Sequence, residues 1–152
     1  MAIGAAALGL LALLLGCSGH SAEAQNSGRV DMPKCILSGN WTNDLASTVL
    51  FGSVSNTGVF SGVYQTAVSS SGNPIPPSPL QGIQHQRDNA TFGFTVYWNA
   101  SKSVTVFAGQ CFVVEGGKEL LKTVWLLRAE AASREDDWGA TKVGTNTFYR
   151  TK

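Results

Sequence analysis

From about Ile36 to the end of the chain, apolar and polar residues alternate at period two in short runs, each closed by turn residues. That period puts successive side chains on opposite faces of a strand. The runs predict strands at Ile36–Asp44, Thr48–Ser55, Val59–Ala67, Leu80–Gln86, Thr91–Asn99, Val104–Val114, Glu119–Glu130 and Ala140–Tyr149. Between them lie explicit turns: Asn56-Thr57-Gly58, Gly72-Asn73-Pro74, Arg87-Asp88-Asn89 and Glu115-Gly116-Gly117. No run keeps a long 3.6-residue period, apart from weak helical character around Ala129–Glu135. The chain therefore reads as all-β. Eight antiparallel strands joined by short turns predict an up-and-down β-barrel, which removes exposed sheet edges by closing on itself. A β-sandwich is the alternative.

Parity then assigns the faces. One face of the third strand carries Phe60, Gly62, Tyr64 and Thr66, and one face of the sixth carries Ser103, Thr105, Phe107, Gly109 and Cys111. Trp41 and Asn43 share a face of the first strand, as Asn146 and Phe148 do in the last. A barrel packed solid would fill such positions with Leu, Ile and Val. Hydroxyl and amide groups inside a barrel need partners. A bound ligand can supply them, and so can mutual hydrogen bonds or trapped water; the pattern alone leaves both open. The four tryptophans, Trp41, Trp98, Trp125 and Trp138, each stand in a different segment, mostly beside small hydroxyl or amide residues. Large apolar rings with a polar edge suit the lining of a pocket for a small, mostly neutral ligand.

The first residues follow a different pattern. Ile3–Leu15 is an apolar run too short for a membrane span of about 20 residues. Ala22-Glu23-Ala24 follows, so residues 1–24 read as a secretory signal cleaved after Ala24, and the mature protein as secreted and extracellular. The leading segment contains no Lys or Arg, and Leu14-Leu15-Gly16-Cys17 also fits a bacterial lipoprotein pattern. Three N-glycosylation sequons, beginning at Asn40, Asn89 and Asn99, favour the eukaryotic secreted reading and mark a candidate glycoprotein. Residues 25–34 are polar and read as a flexible lead into a single domain over residues 35–149. Cleavage removes Cys17 and leaves Cys35 and Cys111 as an even pair in an oxidising compartment. A bridge between them would contribute on the order of 4 kcal/mol by shortening the unfolded chain. Two buried free thiols are the other reading.

The chain carries a formal net charge of +1, which gives no electrostatic footprint for nucleic acid or an anionic membrane. Cleavage leaves His85 as the single histidine, so neither a metal site nor a Ser-His-Asp set can be assembled. Asp136-Asp137 reads as a solvated turn before Trp138, and phosphate-cradling glycine motifs are absent. The expectation is a protein that is not an enzyme and needs no metal or cofactor.

Several segments, in order, resemble the avidin family: Cys35-Ile36-Leu37-Ser38-Gly39-Asn40-Trp41-Thr42-Asn43-Asp44-Leu45, Ser78-Pro79-Leu80-Gln81-Gly82, Thr91-Phe92-Gly93-Phe94-Thr95-Val96-Tyr97-Trp98 and Val106-Phe107-Ala108-Gly109-Gln110-Cys111-Phe112. Lys122-Thr123-Val124-Trp125-Leu126-Leu127-Arg128 and Asp136-Asp137-Trp138-Gly139-Ala140-Thr141-Lys142-Val143-Gly144 continue it. The likeness runs from about Cys35 to Phe148. It implies an eight-stranded barrel, usually a homotetramer, that binds biotin non-covalently in the barrel mouth. By the same resemblance Asn43, Ser47 and Tyr64 surround the ureido oxygen, Thr66 and Asn146 accept from the ureido N–H groups, and Thr105 lies beside the thioether sulfur. Ser69, Ser70, Ser71, Ser101 and Ser103 match the polar positions near the valerate carboxylate. Leu45 belongs to the same site, with Trp98, Phe107, Trp125 and Leu127 as apolar walls and Trp138 lent by a neighbouring subunit.

The residues make that chemistry intelligible. A urea is neutral, so it is desolvated cheaply, yet its oxygen accepts strongly. Donors converging on it inside a dry aromatic box reinforce one another. Departures from the family pattern have consequences as well. Ala100 stands where a bulky aromatic wall is usual, which should open the mouth on that side and speed ligand release. Pro74, Pro76, Pro77 and Pro79 should stiffen the loop Ser69–Pro79, and Thr145 replaces an aliphatic residue at a subunit interface. The competing function is a lipocalin-like carrier of a more apolar ligand, against which five converging polar groups argue; a secreted domain without a ligand is a third.

Overall fold

The structure is a computed structural model that describes residues 35–69, 72–86 and 90–151. The expected signal segment 1–24, the lead 25–34, Ser70, Ser71 and the sequon residue Asn89 lie outside the described residues. The described strands are β1 (Gly39–Asn43), β2 (Thr48–Phe51), β3 (Val59–Gln65), β4 (Ser78–Gln84), β5 (Thr91–Trp98), β6 (Ser103–Val114), β7 (Lys118–Ala129) and β8 (Thr141–Arg150). Each pairs antiparallel with the next, and β1 pairs with β8, closing the barrel. The sandwich alternative is thereby set aside.

Most strand ends fall close to the expected positions, and two differences are informative. β4 begins at Ser78, two residues before the expected Leu80, and so contains Pro79. Pro79 stands opposite Val63 of β3, while pairing with β5 starts only at Leu80, so the residue without an N–H is tolerated ahead of the β5 ladder. The region of expected helical character at Ala129–Glu135 forms no helix. It finishes β7 and continues through bends and a turn to a 3₁₀ turn at Asp137–Gly139. Ser133 Oγ donates to the Asp136 carboxylate at 2.8 Å, a local bond that competes with helical pairing.

The inward positions divide along the barrel axis. At one end Phe51 meets Phe60 and Phe94 edge-on, with ring centroids 5.3 and 5.2 Å away. Phe94 stacks on Phe107 at 4.6 Å. Gly82 fits beneath this cluster because a Cβ there would strike the Phe60 ring 2.5 Å away. Trp41 is fully buried and donates its indole N–H to the Leu37 carbonyl at 2.7 Å. Arg150 lies 4.2 Å over its ring, pairs with Glu119 and donates to the Ser38 carbonyl at 2.9 Å. Cys35 and Cys111 are joined by a disulfide, with Cα atoms 6.2 Å apart. This end is held by packing, a cross-link and a clamped arginine. The opposite end holds the amides and hydroxyls.

Candidate ligand-binding site

The polar end is organised by one asparagine at the close of β1. Asn43 is 5% exposed, and its Oδ1 accepts the backbone N–H groups of Leu45 at 3.0 Å and Ser47 at 2.8 Å. This is the local side-chain turn that asparagine favours. With the oxygen committed to the turn, the amide must face its NH₂ toward the barrel interior, where Nδ2 donates to the Tyr64 hydroxyl at 3.1 Å. The turn includes Ala46 in a left-handed conformation, φ 62°, which costs about 1–2 kcal/mol for a residue with a Cβ. That geometry brings Ser47 back inside, 2% exposed, with its Oγ accepting from the Ala67 N–H at 3.0 Å.

Tyr64 sits against both. Its ring stands edge-on to Trp98 at 5.3 Å and lies over Phe107 at 5.8 Å. Burial pushes its phenol up to about 12; the Ser47 hydrogen bond pulls the other way, and the Asp44 carboxylate adds to the rise. Tyr64 is therefore a neutral O–H at any physiological pH. An amide, a hydroxyl and a phenol thus meet in one buried place.

A second asparagine faces them with the opposite polarity. Asn146 on β8 donates its Nδ2 to the Asp44 carboxylate at 2.6 Å, while the other oxygen of Asp44 accepts the Thr147 N–H at 3.1 Å. With its NH₂ held by Asp44, the amide oxygen of Asn146 is the half left to accept a hydrogen bond. Thr123, its cross-strand partner, is buried and donates to the Asn146 backbone carbonyl at 2.9 Å. One amide offers N–H and the other offers C=O, each fixed by the partner of its unused half.

The walls follow the expected parity. Trp98 is 9% exposed and donates its indole N–H to Thr105 Oγ1 at 2.7 Å. Thr105 pairs across β6 and β7 with Leu127, and Phe107 with Trp125. The Trp125 ring lies over Gly144, where any Cβ would collide with it. Its buried indole N–H has no partner among the described residues, a state that costs about 1–3 kcal/mol. At the rim, Ser101 and Ser103 share a hydrogen bond of 2.7 Å, with Ser103 buried. The proline loop is tied down by Gln65, whose Nε2 donates to the Ile75 carbonyl at 2.7 Å.

Not every expected residue converges here. Thr66 lies just past the end of β3, and its hydroxyl is engaged by its own loop, donating to the Val68 carbonyl at 3.2 Å and accepting the Val68 N–H at 3.1 Å. Leu45 is 53% exposed on the turn, and Ser69 is half-buried in the β3–β4 loop. Trp138 is 88% exposed, in a 3₁₀ turn whose Asp137 pairs with Arg128. The sequence reading did not single out Asp44, Thr123 or Ser78. Ser78 is buried opposite Tyr64; counting β4 from Leu80 hid its parity. Nothing in the local pattern flags Asp44, because its partner is 102 residues away.

A family model for the avidin family matches residues 31–151. Avidin of Gallus gallus is 52% identical over 120 residues, which span 77% of this chain and 79% of that protein. Among solved structures, Xenavidin is similar at a TM-score of 0.75 and 48% identity, covering 78% of this chain and 99% of its own. A biotin binding protein from chicken superposes at the same TM-score with 50% identity, covering 80% of this chain and all of its own.

Proposed function

The chain belongs to the avidin family, and we propose on that basis that it is a non-catalytic protein that binds biotin non-covalently in the polar end of its barrel. The observation that carries the reading is the opposed pair of amides. Asn43 has its oxygen taken by its own turn and its NH₂ on Tyr64, and Asn146 has its NH₂ taken by Asp44, which leaves its oxygen as an acceptor. A urea needs that complement: donors for its oxygen and an acceptor for an N–H. A purely apolar guest would leave those groups buried and unpaired, at about 1–3 kcal/mol each. The lipocalin-like alternative loses on this count.

Binding needs little reorganisation. The donors already meet one another, Trp98 and Phe107 already pack against Tyr64, and the proline loop is pinned at Ile75. A preformed site loses little ordering entropy on association. In the bound state the ureido oxygen takes the place that Tyr64 now offers Asn43, with Thr105 beside the thioether and Ser101 and Ser103 at the carboxylate.

The same reading makes the protein a secreted homotetramer that sequesters biotin. Val106, Leu126 and Val143 stand in register across the outer face of β6, β7 and β8, each 43–66% exposed. Contiguous exposed apolar surface marks an interface, and on this reading the exposed Trp138 closes a neighbour's mouth.

Titration with biotin under tryptophan fluorescence tests the proposal, because Trp98 and Trp125 line the site. A sharp stoichiometric endpoint is expected; a flat trace at micromolar biotin rejects it. Sedimentation of the same sample reads the assembly, and a monomer with full affinity would remove the role given to Trp138.

A further inference from the structure

Ala100 lines a groove as well as standing at an expected wall position. Outside the rim, between the β3–β4 loop and the β5–β6 hairpin, lies a groove of about 370 Å³. Pro76, Pro77 and Pro79 form one wall, and Tyr97, Asn99 and Ala100 form the other. Tyr97 alternates with the inward Trp98 on β5, so it stands on the outer surface, 56% exposed. Asn99 is exposed too, in a 3₁₀ turn over Asn99–Ser101 at the hairpin tip. Asn99-Ala100-Ser101 is an N-glycosylation sequon. The acceptor nitrogen therefore hangs in the wall of an apolar groove that ends in an aromatic ring. Asn40, by contrast, stands within β1 opposite Leu50, with its own carbonyl bonded to Thr151.

We propose that Asn99 carries an N-linked glycan whose innermost N-acetylglucosamine lies in this groove, its apolar ring face against Tyr97 and the prolines. In the transfer, Asn99 Nδ2 attacks the anomeric carbon of a lipid-pyrophosphate-linked oligosaccharide. The N–C bond forms, the C–O bond to the pyrophosphate breaks, and the amide proton leaves with the pyrophosphate. A sugar ring has C–H faces and a hydroxylated rim. It can cover exposed apolar surface while keeping its polar edge in water, as the open groove allows. The first sugar then builds the side of the rim that Ala100 leaves low and slows escape of the ligand. That second consequence rests on the biotin reading; the glycan and its seat rest only on the proposed secretion.

The test uses the full chain secreted from a eukaryotic host. Peptide N-glycosidase in heavy-oxygen water, followed by peptide mass mapping, should convert Asn99 to labelled aspartate, and an unmodified Asn99 overturns the proposal. For the seat, cleavage of the native Asn99 glycan by an endoglycosidase should be about fivefold faster in Tyr97→Ala, equivalent to about 1 kcal/mol of lost packing. Equal rates overturn the seat. If that variant does not fold, NMR of the wild-type glycan decides the point: inner-sugar lines as broad as the protein's support it, and sharp independent lines overturn it. For the rim, biotin should leave enzymatically deglycosylated protein severalfold faster than glycosylated protein, and equal rates overturn that part. Failure of both forms to bind biotin would instead reject the proposed function, with the glycan map still standing.

Discussion

The two ends of the barrel obey the same alternation and do opposite things with it. At the packed end, inward positions are filled by Phe51, Phe60, Phe92 and Phe94, with the disulfide and the Arg150 clamp around them. At the polar end, equivalent inward positions are filled by Asn43, Ser47, Tyr64, Ser103, Thr105 and Asn146. The first set satisfies itself by contact. The second satisfies itself by hydrogen bonds that can be handed to a guest of matching polarity. Stability and recognition are thus separated along one axis, and a closed barrel permits this because every strand crosses both zones.

Truncation at the packed end should break that division most severely. Phe94→Ala removes the ring that touches Phe51, Phe92 and Phe107 and should lower stability by about 3–5 kcal/mol. Denaturant unfolding of the ligand-free protein measures it, and a smaller loss would mean that the polar end also carries the fold.

Alkali probes the junction between the zones. Tyr64 is held at about 12 against an ordinary value of 10.0, so the unfolded chain ionises first. The sign follows from linkage: where the folded state keeps the proton longer, stability falls as pH rises. It should be largely intact below pH 10 and decline by about 2 kcal/mol by pH 12. In Tyr64→Phe that component of the decline should vanish, as read by unfolding at stepped pH.

Tyr64→Phe also sharpens the comparison at neutral pH. The hydroxyl that Asn43 bonds is lost while the ring remains, so biotin affinity should drop by about 1–3 kcal/mol, and the Asn43 N–H left without that partner should cost the ligand-free protein about 1 kcal/mol. Calorimetric titration beside an unfolding curve gives both numbers, and a larger loss in stability than in binding would contradict the separation.

The smallest expected effect is at Asp44. Asp44→Asn weakens the acceptor that fixes Asn146 and confronts the Thr147 N–H with an amide, so biotin should bind about 1 kcal/mol more weakly. Unchanged affinity would show that Asn146 keeps its orientation without Asp44.

Legibility in the sequence varied with range. Strand parity, which is local, puts Trp41 and Asn43 on one face of β1, while the wall roles of Trp98 and Trp125 come from the family resemblance. Ser78 escapes a local reading because Pro79 suggests a loop, whereas pairing with β3 already includes Ser78 and Pro79 and only pairing with β5 waits until Leu80. Thr66 lies just past β3, where its hydroxyl bonds Val68, a loop contact that strand parity does not reveal. The weak helical signal at Ala129–Glu135 misled for a related reason: short-range composition carries no information about what the neighbouring strands require.

The alternation of the chain, its turn residues and the ordered family segments were enough to determine an eight-stranded all-β barrel and the side chains on its inner face. These are properties of neighbours in sequence. Which half of each amide points inward was decided only by the tertiary structure. Asn43 is set by its own turn, but Asn146 is set by Asp44 from the far end of the chain, through the β1–β8 closure. An amide has two nearly isosteric faces of opposite polarity, so its identity names a binding group while its partners choose whether that group donates or accepts.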